Sequence, residues 1–441
     1  MKDVRSILDQ NAYRFDGTAG GQTDELVRRR LETVGPTSVL FYREPLHIVQ
    51  GQGVWLYDSS GQAYLDVYNN VPSVGHCHPK VVEAVSKQMA QLNVHTRYLH
   101  DGIHRYTERL LATMPESLNR MVMTCTGSES NDLALRLVRH WTGREGIIVT
   151  EAAYHGNTTA VTEVSPSSLK QREPADHVHV IPISSMPSGS DEAGAWFEEQ
   201  VRAGIERLDR AGFGCAAVLI DTIFSSDGIF ADPEGFLGPA VDLLRDHGGM
   251  LIADEVQPGF GRTGNEMWGF ARHGLVPDVV TMGKPMGNGY PVAGLVANQQ
   301  LLELLNAEAG YFNTFGGSQV SVAAATAVLD ILEDEGLQDN ARVVGGYLKA
   351  SLKALASRHA CIGDIRGAGL FIGVDIVDAE SDGQPDAETA TRLINELRKN
   401  GVLLGAAGRS GNILKVRPPL CFTRENADLF VDRLESALIM V

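Results

Sequence analysis

Cysteine is scarce in this sequence: Cys77, Cys125, Cys215, Cys361 and Cys421 are scattered, odd in number and form no C-x-x-C pair. That spacing suggests neither a disulfide framework nor a zinc knuckle, and a reducing, cytoplasmic setting fits it best. Basic charge is also in deficit. Lys and Arg number 38 against 55 Asp and Glu, giving a formal net charge of -17. Nucleic acid and anionic membranes both require clustered basic surface, so neither is an expected partner. No apolar run approaches the roughly 18 residues that span a bilayer, and the start, Met1-Lys2-Asp3-Val4-Arg5, lacks the apolar core of a leader. Low-complexity tracts are missing as well. What remains is 441 residues, 43% hydrophobic and 21% charged, an ordinary composition for a globular enzyme with more chain than one core usually organises.

Between His47 and Val67 the pattern predicts paired strands around the turn cluster Asp58-Ser59-Ser60-Gly61. Helical spacing follows from Pro79 and again over Ile103 to Thr113. Short apolar runs then alternate with helical stretches: Met121 to Met123, Gly146 to Val149, Ala216 to Ile220, Met250 to Ala253 and Val279 to Met282. Alternation of this kind predicts an α/β fold, a mainly parallel sheet covered by helices. Ligands of such sheets sit beyond the carboxyl ends of the strands, so the residues after each run are the ones to inspect. A long helical region from Ser318 to His359 precedes strand, helix, strand and helix signals, which read as a smaller α+β domain. The expected division is an N-terminal arm and hairpin over 1–60 packing with the small domain, a large domain over 61–325 and a small domain over 326–441.

Three features stand at predicted strand ends. Thr126-Gly127-Ser128-Glu129-Ser130-Asn131-Asp132 opens a helix, and the free N–H groups and dipole of a helix start suit a phosphate, although an ordinary capped helix would look the same. Asp254 closes the apolar run Leu251-Ile252-Ala253. A carboxylate there needs a cation, either a protonated ring nitrogen or an arginine. Lys284 follows Thr281-Met282-Gly283 and precedes a glycine-rich turn. Such a lysine is either a solvated surface group or an amine made nucleophilic by desolvation. Taken together they supply what pyridoxal 5'-phosphate needs: a phosphate cradle, a carboxylate for the ring nitrogen and an amine for the aldehyde. Gly259-Phe260-Gly261-Arg262-Thr263-Gly264 matches a dinucleotide fingerprint in form only, because no helix opens there and the next strand ends in a lysine. His76-Cys77-His78 and His177-x-His179 lack supporting ligands and are read as loop and strand residues, with no metal expected.

With these motifs the sequence resembles the class III aminotransferases of fold type I over nearly its whole length. The resemblance implies Lys284 as the Schiff-base lysine and Asp254 as partner of the ring nitrogen. It further implies Gln257 on the phenolic oxygen, Tyr154 stacked on the ring in Tyr154-His155-Gly156, and Gly127 and Ser128 on the phosphate, with His155 also among the cofactor contacts. Thr314, in Asn313-Thr314-Phe315-Gly316-Gly317, matches the residue that reaches the phosphate from a second subunit, implying a homodimer with shared sites. Arg417 matches the substrate-binding arginine, and Tyr42 and Arg43 are weaker substrate candidates. Many family members carry E-P-x-Q-G-E-x-G, whose second glutamate can pair with that arginine; here Asp221-Thr222-Ile223-Phe224-Ser225-Ser226-Asp227-Gly228 puts Ser226 in its place. Segments such as Tyr68 to Val71, Arg97 to Asp101, Gly369 to Asp375 and Asn412 to Lys415 resemble the ethanolamine-phosphate and phosphohydroxylysine phospho-lyase branch. That branch implies β-elimination of phosphate from a phosphorylated amine; the alternative is transamination of an ω-amine or amino acid with pyruvate or glyoxylate.

Overall fold

The computed structural model describes residues 11–13, 22–35, 39–169, 172–187, 190–305, 307 and 311–441. Its centre is a seven-stranded sheet in the order Arg120–Thr124, Ala293–Ala297, Val279–Met282, Met250–Asp254, Cys215–Ile220, Gly146–Thr150, Val178–Ile181. Four neighbouring pairs are parallel. Ala293–Ala297 runs against both of its neighbours, so Arg120–Thr124 points the same way as the parallel set. The middle strands are buried along their whole length, as helices on both faces require, and this is why they read as unbroken apolar runs. Their carboxyl ends, with that of Arg120–Thr124, gather along one edge of the sheet.

Two strands of this sheet escaped the sequence reading. Ala293–Ala297 is made of small residues without β-branched enrichment, and a histidine interrupts Val178–Ile181. The long helical region also divides, into Gln319–Asp334 and Leu337–Ala356, because Gly336 takes φ +60° and turns the chain between them.

The N-terminal sheet joins distant parts of the chain. Ile48–Gln52, Trp55–Asp58 and Ala63–Asp66 form a meander, and Val402–Leu403 adds to it in parallel beside Ala63–Asp66. A cut at 60/61 therefore splits one sheet, and a cut at 325/326 falls inside Gln319–Asp334, a helix that packs on Pro79–Gln91 and Asp101–Leu111. A third sheet, Ile362–Ala368, Phe371–Asp378, Ile413–Val416 and Gly405–Ala407, carries the C-terminal helices. Among the described residues no helix is long and apolar enough to cross a membrane.

The glycine-rich run at 259–264 is a packing device. It delivers Arg262, fully buried, which donates to the carbonyls of Leu370, 3.2 Å away, and Pro418, and to Ser73 Oγ at 3.4 Å. A Cβ on Gly264 would lie 2.7 Å from Arg342 Cα, so the glycine is dictated by the neighbouring helix and no phosphate need be invoked.

Candidate active site

Helix Gly127–Thr142 starts where strand Arg120–Thr124 ends, and Thr126 caps it by accepting from the Glu129 N–H at 3.2 Å. The first N–H groups of a helix have no intrahelical partner, which leaves those of Gly127 and Ser128 for a ligand. Space there is set by glycine. A Cβ on Gly127 would stand 2.9 Å from Val256 Cγ2, and one on Gly156 would stand 2.5 Å from Ser128 Oγ.

Asp254 ends strand Met250–Asp254, the third over from Arg120–Thr124 in the sheet. Its carboxylate accepts from Asn131 Nδ2 at 3.0 Å, His155 Nδ1 at 2.7 Å and the Val256 N–H at 3.1 Å. Asn131 also donates to the His155 carbonyl at 2.7 Å and accepts from Thr281 Oγ1 at 2.7 Å. One amide thus ties a helix, a loop and two strand ends to a single carboxylate. His155 Nε2 is buried and, among the described residues, has no hydrogen-bond partner.

Lys284 comes three residues after Thr281, the strand partner of Asp254, in the short 3-10 turn Lys284–Gly287. Its φ of +34° is unusual for a residue with a Cβ and marks the kind of strain that functional sites hold. Burial lowers the pKa of its ammonium and Arg417 adds to the effect, while Asp254 and Asp221 oppose it. An amine in that position is more readily neutral and nucleophilic.

Thr126, Gly127, Ser128, Tyr154, His155, Gly156, Asp221, Asp254, Val256, Gln257 and Lys284 line one cavity of about 220 Å³. Tyr154 is 47% exposed, which leaves part of its ring free at the mouth. Beside the cavity, Gln257 donates to Ser225 Oγ at 2.6 Å and accepts from the Arg417 guanidinium. Arg417 also donates from Nε to the Tyr68 carbonyl at 2.7 Å and lies 4.7 Å over the Tyr68 ring. No carboxylate among the described residues forms a salt bridge with it.

The residues present fit pyridoxal 5'-phosphate: a helix start cleared by two glycines, a carboxylate fixed by three donors, a depressed amine and a half-exposed aromatic share one cavity. Gly127, Ser128, Tyr154, His155, Asp254, Gln257 and Lys284, all singled out from sequence, meet there, and Arg417 borders it. Thr314 is exposed and does not line the cavity of its own chain. Tyr42 and Arg43 also do not line the cavity of their own chain. Tyr42 is buried at φ +72° and spends its hydroxyl on the Leu404 carbonyl. Arg43 is thereby directed to a separate cavity with Glu44, Arg392 and Asn395. Asn131 and Asp221 were missed as site residues. Asn131 could have been found from its place one helical turn after Gly127, and Asp221 from its place directly after a strand. The suspected histidine clusters have local partners: His76 pairs with Asp66 at 2.6 Å and His78 with Glu335 at 3.1 Å.

Residues 41–438 match the sequence model of the family Aminotransferase class-III. A Drosophila melanogaster protein named alanine--glyoxylate aminotransferase 2-like is 40% identical over 421 residues, 92% of this chain and 85% of that one. A Caenorhabditis elegans protein named ethanolamine-phosphate phospho-lyase homolog 1 is 37% identical over 439 residues, 95% and 94% of the two chains. Among solved structures, a phospholyase from Arthrobacter in complex with phosphoethanolamine superposes with a TM-score of 0.91 at 41% identity, covering 94% of this chain and all of that one. The chain belongs to the class III aminotransferases, enzymes of fold type I that depend on pyridoxal 5'-phosphate.

Proposed function

We propose that this enzyme is a phospho-lyase that eliminates phosphate from O-phosphoethanolamine or a related phosphorylated amine, giving an aldehyde, ammonia and inorganic phosphate. The observation that carries the reading is Arg417, a buried guanidinium beside the cofactor cavity with no carboxylate paired to it among the described residues. A buried charge of that kind calls for an anionic partner, and a phosphoryl group supplies one. The likeness to the Arthrobacter phospholyase supports the same conclusion.

When bound, the cofactor acts as an electron sink that acidifies the carbon bearing the substrate amine. Gly127 and Ser128 would hold its phosphate, Tyr154 would cover its ring, and Asp254, fixed by three donors, would partner the ring nitrogen. Lys284, with its pKa lowered by burial, would take the proton from the amine-bearing carbon of the substrate. The electron pair freed there forms a double bond to the adjacent carbon as the C–O bond to phosphate breaks, and the unsaturated amine that remains takes up water to give aldehyde and ammonia. Arg417 holds the phosphate group away from Lys284.

The enzyme works as a homodimer in this reading, with Thr314 reaching the partner's cofactor phosphate. An exposed apolar group beside Thr314 supports this: Leu99 is 96% and Phe315 72% exposed, with Tyr98 and Phe312 close by in the chain. The five cysteines are free thiols, in keeping with a cytoplasmic enzyme.

The test is incubation of purified holoenzyme with phosphoethanolamine and no keto-acid acceptor, measuring inorganic phosphate. Release over many turnovers is expected. No phosphate, together with amine transfer once pyruvate or glyoxylate is added, would establish a transaminase instead.

A further inference from the structure

Lys415 lies in strand Ile413–Val416, is only 6% exposed, and among the described residues its ammonium forms no salt bridge or hydrogen bond. A buried ammonium without a partner is costly, so such a group is retained where something else brings the counter-charge. The strand register sets no charged side chain opposite it. Both cross-strand partners of Lys415 are glycines, Gly373 on one side and Gly405 on the other. A Cβ at Gly405 would come 2.3 Å from Tyr68 Cε2, and one at Gly373 would come 3.0 Å from the Gly228 carbonyl. Lys415 and Arg417 also flank one aromatic ring, with Lys415 Nζ 5.5 Å and Arg417 Cζ 5.9 Å from the centre of Phe371. Arg417 in turn is fixed over Tyr68.

We propose that Lys415 is the second cation of a two-pronged receptor for the substrate's phosphoryl group, acting with Arg417 and determining preference for phosphorylated over unphosphorylated amines. The proposal rests on the phospho-lyase reading above and adds to it the residue that meets the second negative charge of a phosphate dianion. A guanidinium can grip two oxygens and a point-like ammonium the third.

Burial lowers the pKa of Lys415, and the neighbouring Arg417 and Lys284 add to that, while Asp221 and Asp227 oppose it. Arrival of a phosphate dianion reverses the balance and favours the protonated amine. Binding should therefore draw a proton from solution, which a purely structural lysine would not do.

The test uses wild-type holoenzyme and the Lys415→Met variant, whose apolar chain of similar length suits the buried site; Lys415→Gln carries the same expectation should the first not fold. Inorganic phosphate is titrated calorimetrically near pH 8.5, where it is already a dianion, in buffers of differing ionisation enthalpy. The expected result is that Lys415→Met raises the Kd for phosphate and the KM for phosphoethanolamine at least tenfold and takes up fewer protons than wild type. The absorbance response to ethanolamine stays within twofold. If wild type releases phosphate from phosphoethanolamine while the variants match it in KM, Kd and proton uptake, the Lys415 assignment alone is overturned. If wild type releases none, the phospho-lyase reading falls and takes this assignment with it.

Discussion

Replacing Asn131 by alanine strips three buried groups of a partner at once. Asp254 loses a donor at 3.0 Å, the His155 carbonyl loses one at 2.7 Å, and the Thr281 hydroxyl loses its acceptor at 2.7 Å. Asp254 keeps its other two donors, so two groups are left unsatisfied; at about 1–3 kcal/mol each, the loss is at least about 2 kcal/mol. For 441 residues unfolding as one unit, an entropy of about 2.1 cal/mol/K per residue gives roughly 0.9 kcal/mol per degree, so Tm falls by roughly 2 °C or more. The effect on the cofactor is separate. Asp254 loses a hydrogen bond to its charged form, about 1.5–3 kcal/mol, and affinity for pyridoxal phosphate should weaken about 10- to 100-fold. Differential scanning calorimetry of the apoenzyme and absorbance titration with cofactor read the two quantities independently. An apoenzyme Tm within about one degree of wild type, with unchanged cofactor affinity, would refute the claim that this amide organises the site.

Three further predictions follow from individual contacts. Asp227 accepts from Thr150 Oγ1 and the Ala152 N–H, and burial pushes its carboxyl up to about 7 from 3.8. The native state therefore keeps a proton that the unfolded chain has lost between those values, and its contribution to stability declines by about 1.4 kcal/mol per pH unit as pH rises through that window. Asp227→Asn should remove that slope, and urea unfolding at pH 5 and pH 7 that shows the same slope in both proteins contradicts it. Gly156 has φ +145° and Ser128 Oγ 2.5 Å from where a Cβ would be. Gly156→Ala should displace the start of helix Gly127–Thr142 and speed cofactor loss on dialysis; retention equal to wild type counts against the proposed cradle. Leu99→Asp puts a charge on the proposed subunit contact, and sedimentation should show monomer for the variant and the proposed dimer for wild type, whereas an unchanged distribution would exclude that surface.

The site was legible in the sequence because parallel strands buried on both faces must be apolar throughout, so Asp254 and Lys284 mark their ends as the first groups able to carry charge. The contacts between those ends were not legible. Asn131 sits in a helix start where an amide has many ordinary roles, and only the fold brings it against Asp254, 123 residues away. Arg43 lines a separate cavity in its own chain, and the positive φ at Tyr42 is a backbone choice that tyrosine gives no hint of. The register by which Val402–Leu403 joins the N-terminal sheet beside Ala63–Asp66 was not legible either, because sequence order carries no record of which strands pair. Lys415 was visible only as part of a motif. Its isolation emerges from the two glycines opposite it.

Arg262 has a mechanical consequence. Its guanidinium joins Ser73 near the start of the large unit to Leu370 and Pro418 in the C-terminal one, and Pro418 is the residue after Arg417. Any swing of the C-terminal unit away from the sheet must strip a buried cation of its acceptors, so the two units are pinned beside the position that receives the substrate anion. If the substrate anion is held at Arg417 as proposed, that receptor is stiff before ligand arrives, and selection among amines of different length should fall on reach, on whether a molecule spans the interval between Lys284 and Arg417.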